Sequence, residues 1–234
     1  MTSPKRLARI AGFLYLLVGI FGGFAEGYVE PRMYVAGNAA ATAGNVIANA
    51  GLVRLGVVAD LLDGTFFVFL ALTLYILLNH VHKSVARAML VLVVLATGIT
   101  CLSALFEFEG LRVATGAVDL GALGGSAMVM LLLDAQHYGL LIAQIFFGLW
   151  LAPLGYLAYR SGWFPKALGV VLVAACVSYL VDLLVAFLVP DFGKAIHGFA
   201  SMLPAIAEPA MVLYLLIVGV KTTRPESERI LAAA

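Results

Sequence analysis

Residues 56–72, GVVADLLDGTFFVFLAL, form a strongly apolar run that nevertheless contains two carboxylates, Asp60 and Asp63. The run continues to about residue 78 without another charge, which is long enough for a helix to cross the roughly 30 Å hydrocarbon core of a bilayer. A carboxylate in such a helix is costly unless it faces protein or water. The stretch therefore predicts a membrane helix that turns two acids toward the interior of a helical bundle.

The composition of the whole chain agrees with this interpretation. Of its 234 residues, 63% are hydrophobic and 12% are charged, whereas soluble domains carry about 25% charged residues. A net charge of +1 without a Lys/Arg cluster argues against nucleic-acid binding. Cys101 and Cys176 lie in apolar runs, with no C-x-x-C spacing. We therefore predict an all-α integral membrane protein whose partner is the lipid bilayer.

Hydrophobic length predicts six transmembrane helices in a single transmembrane domain, residues 1–234. The first helix follows basic residues, as in a signal peptide, but its apolar run is longer, so we expect it to stay uncleaved. A further run is only about 14 residues long, which predicts a short external interfacial or re-entrant helix near 120–133, capped by Asp119. The six predicted spans are about 7–28, 52–78, 85–108, 137–159, 167–189 and 198–220.

The distribution of Lys and Arg predicts the orientation. One set of helix ends carries ten of these residues and the other carries four, namely Arg32, Arg54, Arg112 and Lys194. The positive-inside rule then predicts cytoplasmic N- and C-termini. The longer connections, about 29–51 and 109–136, become external. The first of them predicts an amphipathic helix on the surface, after a turn at Pro31.

Polar residues within the predicted spans lie in the external halves of the helices, and the cytoplasmic halves are almost purely apolar. This asymmetry predicts a polar pocket that is open to the outside and closed by a hydrophobic floor. Pro204 and Pro209 should kink or locally unwind the last helix. The predicted ligand- or cation-binding pocket consists of Asp60, Asp63, His137, Gln144, Asp182 and Glu208. Secondary candidates nearby are Glu26, Arg54, Glu107, Ser178 and Ser201.

Four segments resemble a bacterial membrane-protein family known as domain of unknown function 4386. The hallmark segments are TAGNVIANAGLVRLGVVADLL (42–62) and LWLAPLGYLAYRSGWFPKALGVVL (149–172). RIAGFLYLLVGIFGGFAE (9–26) and AEPAMVLYLLIVG (207–219) extend the similarity over most of the chain. The resemblance implies a six-helix protein of the bacterial inner membrane. It implies no activity, so the residues themselves must suggest the function.

Three functional hypotheses remain open. The acids could bind a cation or a small polar or amine ligand, with Asp63 and Glu208 coupling proton movement to transport. A metal-dependent membrane hydrolase could use a divalent ion such as zinc against a lipid-derived amide or ester, although no H-E-x-x-H motif is present. Its metal ligands would come from Asp60, Asp63, His137, Asp182 and Glu208.

The third hypothesis is a non-catalytic accessory or sensing subunit that uses its external loops. Alternatively, some acids could simply pair with Arg54 or Arg112 as contacts between helices. Of these hypotheses, ligand or cation binding requires the least additional geometry, so we favour it. The sequence predicts neither the oligomeric state nor the identity of a ligand or metal.

Overall fold

A computed structural model describes residues 3–118, 120–121 and 125–221, apart from the side chain of Lys194. This part of the chain is helical and contains no strand. Six helices are long and apolar enough to cross a membrane, which confirms the all-α, six-helix prediction. A short helix, α2, lies between the first two of them. The helices are α1 (Pro4–Met33), α2 (Ala39–Ala48), α3 (Ala50–Leu78), α4 (Lys83–Ala114), α5 (Ser126–Ser161), α6 (Lys166–Leu188) and α7 (Pro190–Ile217).

The six long helices alternate in direction, so the bundle has two distinct ends. We call the end where α1 begins and α7 ends the terminal side. At this end, Lys221 N–H donates to the carbonyl of Trp163 at 3.2 Å. We call the opposite end, where α1 ends and α3 begins, the loop side. Helix α2 lies on the loop side and packs Thr42, Ala43 and Val46 against neighbouring helices.

The prediction of a turn at Pro31 is wrong, because α1 stays helical to Met33. The helix widens into a single π turn over Ala25–Val29 and then resumes over Glu30–Met33. Pro31 occupies the first turn of that final segment, where a missing N–H is tolerated. The π turn contains Glu26, and such turns are frequent at functional sites.

The prediction of a separate short helix near 120–133 is also wrong. Residues 126–133 form the first two turns of α5, which continues without interruption to Leu149. The polar residues that follow this run do not end the helix, because they have partners within the protein; Asp134, for example, accepts a 2.6 Å hydrogen bond from Tyr34. The predicted cap, Asp119, lies outside the described residues.

Helix α5 is interrupted at Trp150, and the interruption has a local cause. Pro153 has no N–H to donate to the carbonyl four residues earlier, that of Leu149. The chain therefore forms two helical segments, Ser126–Leu149 and Leu151–Ser161. Trp150 at the junction is buried against the rings of Tyr15 and Phe67. These three aromatic side chains belong to a hydrophobic core that includes residues from α1 and from α3 to α7.

Candidate functional site

The site is built on one face of α1. Tyr15, Gly19, Gly22 and Glu26 follow one another at intervals of four, three and four residues, so they share one side of the helix. All four line an inner cavity of about 190 Å³ on the loop side of the aromatic core. Gly19 and Gly22 leave room for the cavity beside α1, and Tyr15 and Glu26 lie at its two ends along the helix.

Three carboxylic acids from three different helices line this inner cavity. They are Glu26 on α1, Asp63 on α3 and Glu208 on α7. Gln144 on α5 and Tyr179 on α6 complete its polar wall. No Lys or Arg occurs among the described residues that line it. The cavity therefore has an excess of acidic groups without a basic side chain to neutralise them.

Glu208 is held by two phenols. Tyr15 donates a hydrogen bond of 2.6 Å to Oε2, and Tyr179 donates one of 3.2 Å to Oε1. Tyr179 is in turn held by close packing, because a β-carbon at Gly148 would lie only 2.7 Å from its Cβ. Helices α1, α5 and α6 thus fix the position of one acid on α7.

Asp63 contrasts with Glu208 in its hydrogen bonding. Its side chain is buried, with 6% of its surface exposed, and its Oδ1 has no hydrogen-bond partner among the described residues. Across from it lies Gly22, where a β-carbon would be 3.4 Å from Oδ1. A buried carboxylate oxygen without a donor is costly. Asp63 therefore brings to the cavity wall a carboxyl group whose hydrogen-bonding capacity the described residues do not fill.

Aromatic rings close the inner cavity toward the terminal side. Phe67, Phe147 and Trp150 all line it. The ring of Phe67 stacks on Phe147 at 5.5 Å and meets the edge of Trp150 at 4.9 Å. Beyond these rings the interior is apolar. The cavity therefore has a hydrophobic floor.

On the loop side lies a second space, the vestibule, of about 820 Å³. Glu26 and Gln144 line both spaces, so the inner cavity and the vestibule adjoin each other. Two acid–histidine pairs line the vestibule. Nδ1 of His137 lies 2.6 Å from Glu30 Oε1, and Nδ1 of His197 lies 2.8 Å from Asp182 Oδ2.

Tyr34, just beyond α1, stacks on the ring of His137 at 4.9 Å and donates to Asp134. Burial, together with the hydrogen bond to Asp134, raises the pKa of Tyr34 above its ordinary value. Its hydroxyl therefore remains a hydrogen-bond donor at neutral pH.

A third space, the lateral cleft, has a volume of about 610 Å³ and lies between α1, α6 and α7. It shares Tyr15, Tyr179 and Glu208 with the inner cavity, and Asp182 and His197 with the vestibule. Most of its other lining residues are apolar. Gln144 lines all three spaces and stands where they meet.

Asp60 does not line any of these three spaces. It is buried against α4, beside the buried Glu107. Oε1 of Glu107 has no hydrogen-bond partner in the described part of the chain. The two aspartates of the opening stretch thus have different environments, Asp63 at the cavity and Asp60 at the α3–α4 contact.

The two arginines considered as partners do not pair with these acids. Arg54 is exposed, and no ion pair involves it within residues 3–118, 120–121 and 125–221. Arg112 instead pairs with Glu109 on its own helix, at 2.7 Å. Neutralisation by arginine therefore does not explain the buried acids.

The five predicted metal ligands are not assembled into one site. Asp60 contacts Glu107, His137 contacts Glu30, and Asp182 contacts His197. Within the described residues, no group of three or more His, Cys, Asp or Glu side chains is placed to hold a metal ion. The geometry thus does not support the ligand set expected for zinc.

Ser178 and Ser201 lie at an interruption in α7. The helix breaks at Ser201, between segments Pro190–Ala200 and Met202–Ile217. Pro204 has no N–H for the carbonyl of Ala200, and Ser178 on α6 donates to that carbonyl at 2.6 Å. Ser201 donates to the carbonyl of Gly198 at 3.2 Å and lines the lateral cleft. The predicted effect of Pro204 is therefore present as a break that α6 stabilises.

We expect Ser178→Ala to lower the free energy of unfolding by about 1 kcal/mol, because the Ala200 carbonyl loses its donor. Thr65→Ala is the control, since the Thr65 hydroxyl donates to the Leu61 carbonyl of its own helix and, among the described residues, to no other helix. Unfolding in mixed micelles, followed by circular dichroism, measures both changes. Equal losses in the two variants would contradict the role given to Ser178.

The sequence did not predict several residues of the site. Tyr15 and Tyr179 supply the donors for Glu208, and Glu30 and His197 complete the two acid–histidine pairs. The regular spacing of Tyr15, Gly19, Gly22 and Glu26 could have indicated that Tyr15 faces the site. The pairs could not be found in the same way, because their members lie on different helices.

Comparison with known proteins identifies the family. A family model described as Domain of unknown function (DUF4386) matches residues 10–219. An "Uncharacterized protein" of Archaeoglobus fulgidus is 30% identical over 120 residues, which is 51% of this chain and 60% of the archaeal protein. No solved structure matches the chain. Because the family model covers nearly all of the six-helix bundle, the chain belongs to the DUF4386 family.

Proposed function

We propose that the protein binds a monovalent cation or a small protonated amine in the inner cavity. The observation that carries this proposal is the meeting of Glu26, Asp63 and Glu208 around one cavity of about 190 Å³ that has no Lys or Arg among its described lining residues. A positive charge there would interact with all three acids. An ammonium group would also donate charge-assisted hydrogen bonds to carboxyl groups that line the cavity.

We further propose that the loop side is external in a bacterial inner membrane. The distribution of ten against four basic residues supports this orientation. The vestibule, with its two acid–histidine pairs, would then face the outside. The aromatic floor would separate it from the cytoplasm.

Proton-coupled transport is the wider function that we favour for this site. The observation behind it is the break at Ser201 in α7, about two helical turns from Glu208. Hydrophobic helices interrupted by proline occur at the binding sites of transporters. Movement at the break would change how Glu208 meets Tyr15 and Tyr179. The hydrolase is not proposed, because its ligand set is dispersed.

The proposal is tested by calorimetric titration of the purified protein with n-butylammonium, ammonium, sodium and potassium chlorides at constant ionic strength. We expect saturable binding of at least one of these cations. Asp63→Asn and Glu208→Gln should each weaken it at least tenfold, because a charge-assisted hydrogen bond contributes about 1.5–3 kcal/mol. Glu109→Gln is the matched control, since Glu109 pairs with Arg112 away from the cavity.

Absence of saturable binding would overturn the proposal. If the wild-type protein binds none of the four cations saturably, the cavity is not a cation site. The same conclusion follows if both cavity variants bind as tightly as Glu109→Gln. Circular dichroism of each variant checks that the fold is intact.

A further inference from the structure

The lateral cleft opens toward the surface that faces lipid. Its rim on α1 includes Leu16 and Ile20, and its rim on α7 includes Leu213. These three side chains are 40%, 52% and 55% exposed. Large apolar side chains on the outer surface of a membrane bundle contact acyl chains. The mouth of the cleft between them therefore leads into the bilayer.

Close packing at one end of the α1–α7 contact, and small residues at the other, produce the cleft. Toward the terminal side the two helices touch, since a β-carbon at Gly12 would lie 2.9 Å from Leu215 Cβ. Further along α1, a β-carbon at Gly19 would meet no atom within 4 Å. On the facing helix, Ala205 and Pro209 present little bulk. The helices thus separate toward the loop side and leave a wedge-shaped opening.

The inner end of the cleft is acidic although its walls are apolar. Glu208 and Asp182 both line it, and no Lys or Arg occurs among its described lining residues. Glu208, with Tyr15 and Tyr179, also lines the inner cavity. A molecule lying in the cleft would therefore place one end against the site proposed above. The volume of about 610 Å³ is within the roughly 300–1,000 Å³ typical of small-molecule sites.

We infer that the ligand is a single-chain amphiphile with a cationic head, such as a long-chain alkylammonium, which enters from the bilayer through the lateral cleft. This inference rests on the proposed function and names its ligand class. The head occupies the inner cavity, and the chain lies between Leu16, Ile20 and Leu213 in the cleft.

Other ligand charges fit the geometry less well. An anionic amphiphile would bring its charge against Glu208, and an uncharged one would leave the three acids of the inner cavity without a positive charge. A small cation would satisfy the acids but would leave the cleft unfilled. Only a cationic head on an apolar chain is complementary to both spaces.

The test uses Trp150, one of two tryptophans in the chain. Trp150 lines the inner cavity and is 1% exposed, so lipid does not reach it. In a Trp163→Phe background it is the only tryptophan. We expect 4,5-dibromododecylammonium to quench its fluorescence saturably in phosphatidylcholine nanodiscs. The brominated alcohol and sulfate of the same chain length should not do so.

Substitutions at two neighbouring residues distinguish binding in the cleft from partitioning of the brominated amine into the bilayer. Ala205 lines the cleft, so Ala205→Phe should fill it and weaken quenching at least tenfold. Ile206 is exposed and does not line the cleft, so Ile206→Phe should leave quenching unchanged. Binding of n-butylammonium should be the same in both variants, because neither residue lines the inner cavity.

The outcomes distinguish this inference from the proposed function. If n-butylammonium binds but the brominated amine does not quench, the ligand is not a cationic amphiphile, although the proposed cation site stands. The same conclusion follows if Ala205→Phe and Ile206→Phe have the same effect on quenching. Equal quenching by the amine and the alcohol would contradict the inference that the site requires a cationic head group. If neither the brominated amine nor any of the four cations in the calorimetric titration binds, both proposals fail. Quenching that is selective for the amine and lost only in Ala205→Phe supports the inference.

Discussion

Trp150→Ala should lower the free energy of unfolding by about 3–5 kcal/mol, the largest effect that we expect from a single substitution in this chain. The indole is buried where α5 is interrupted, against Tyr15 and Phe67. Its removal leaves a void, because other contacts hold the surrounding helices in place and they can only partly close the space left by the indole. Unfolding in mixed micelles, followed by far-UV circular dichroism, measures the loss without depending on tryptophan fluorescence.

Phe69→Ala provides the control for Trp150→Ala. Phe69 lies on α3 near Phe67, but its ring is 51% exposed on the outer surface of the bundle. Lipid or detergent can fill the space that its removal leaves, so we expect a loss below about 1 kcal/mol. If Trp150→Ala costs no more than Phe69→Ala, the aromatic floor does not support the bundle. A large difference between them would confirm that Trp150 joins α1, α3 and α5.

Gly155→Ala should destabilise the protein by about 2 kcal/mol, although alanine is normally the better helix former. A β-carbon at Gly155 would lie 2.6 Å from the carbonyl oxygen of Gly169, and a β-carbon at Gly169 would lie equally close to that of Gly155. Both obstacles are backbone atoms, which cannot rotate away. The α5–α6 contact would have to separate. The measurement is again unfolding in mixed micelles.

The matched control for Gly155→Ala is Gly98→Ala. Gly98 lies within α4, and a β-carbon there would meet no atom within 4 Å. Without a clash, alanine should leave stability unchanged or raise it by up to about 1 kcal/mol. Opposite signs for the two substitutions would establish the close crossing. If Gly155→Ala is as harmless as Gly98→Ala, helices α5 and α6 are not packed backbone to backbone at this point.

The sequence predicted the number of spanning helices correctly because apolar length is a local property. Each helix satisfies its own backbone hydrogen bonds, so a sufficiently long apolar run indicates a span without knowledge of its neighbours. The ends were less predictable. Polar residues near 134–137 resembled a connection, and only the contact between Tyr34 and Asp134 shows why α5 continues through them.

The sequence predicted that Asp60 and Asp63 both turn toward the interior of the bundle, and in the structure they meet different neighbouring helices. With residues about 100° apart around a helix, positions three apart differ in direction by about 60°. That difference is enough for Asp60 to meet Glu107 on α4 while Asp63 reaches the cavity beside α1. The helical period indicates which residues point inward. It does not indicate which neighbouring helix each of them meets.

The sequence by itself determined a membrane bundle of six helices, with acids toward one end and an apolar interior toward the other. Local hydrophobicity and proline chemistry were sufficient for that. Only the tertiary structure decided that Glu26, Asp63 and Glu208 share a cavity, and that Tyr15 and Tyr179 hold one of them. It also decided that α1 and α7 touch at Gly12 and part near Gly19. These features depend on how separate helices rotate and cross, which follows from side-chain packing between segments far apart in the chain.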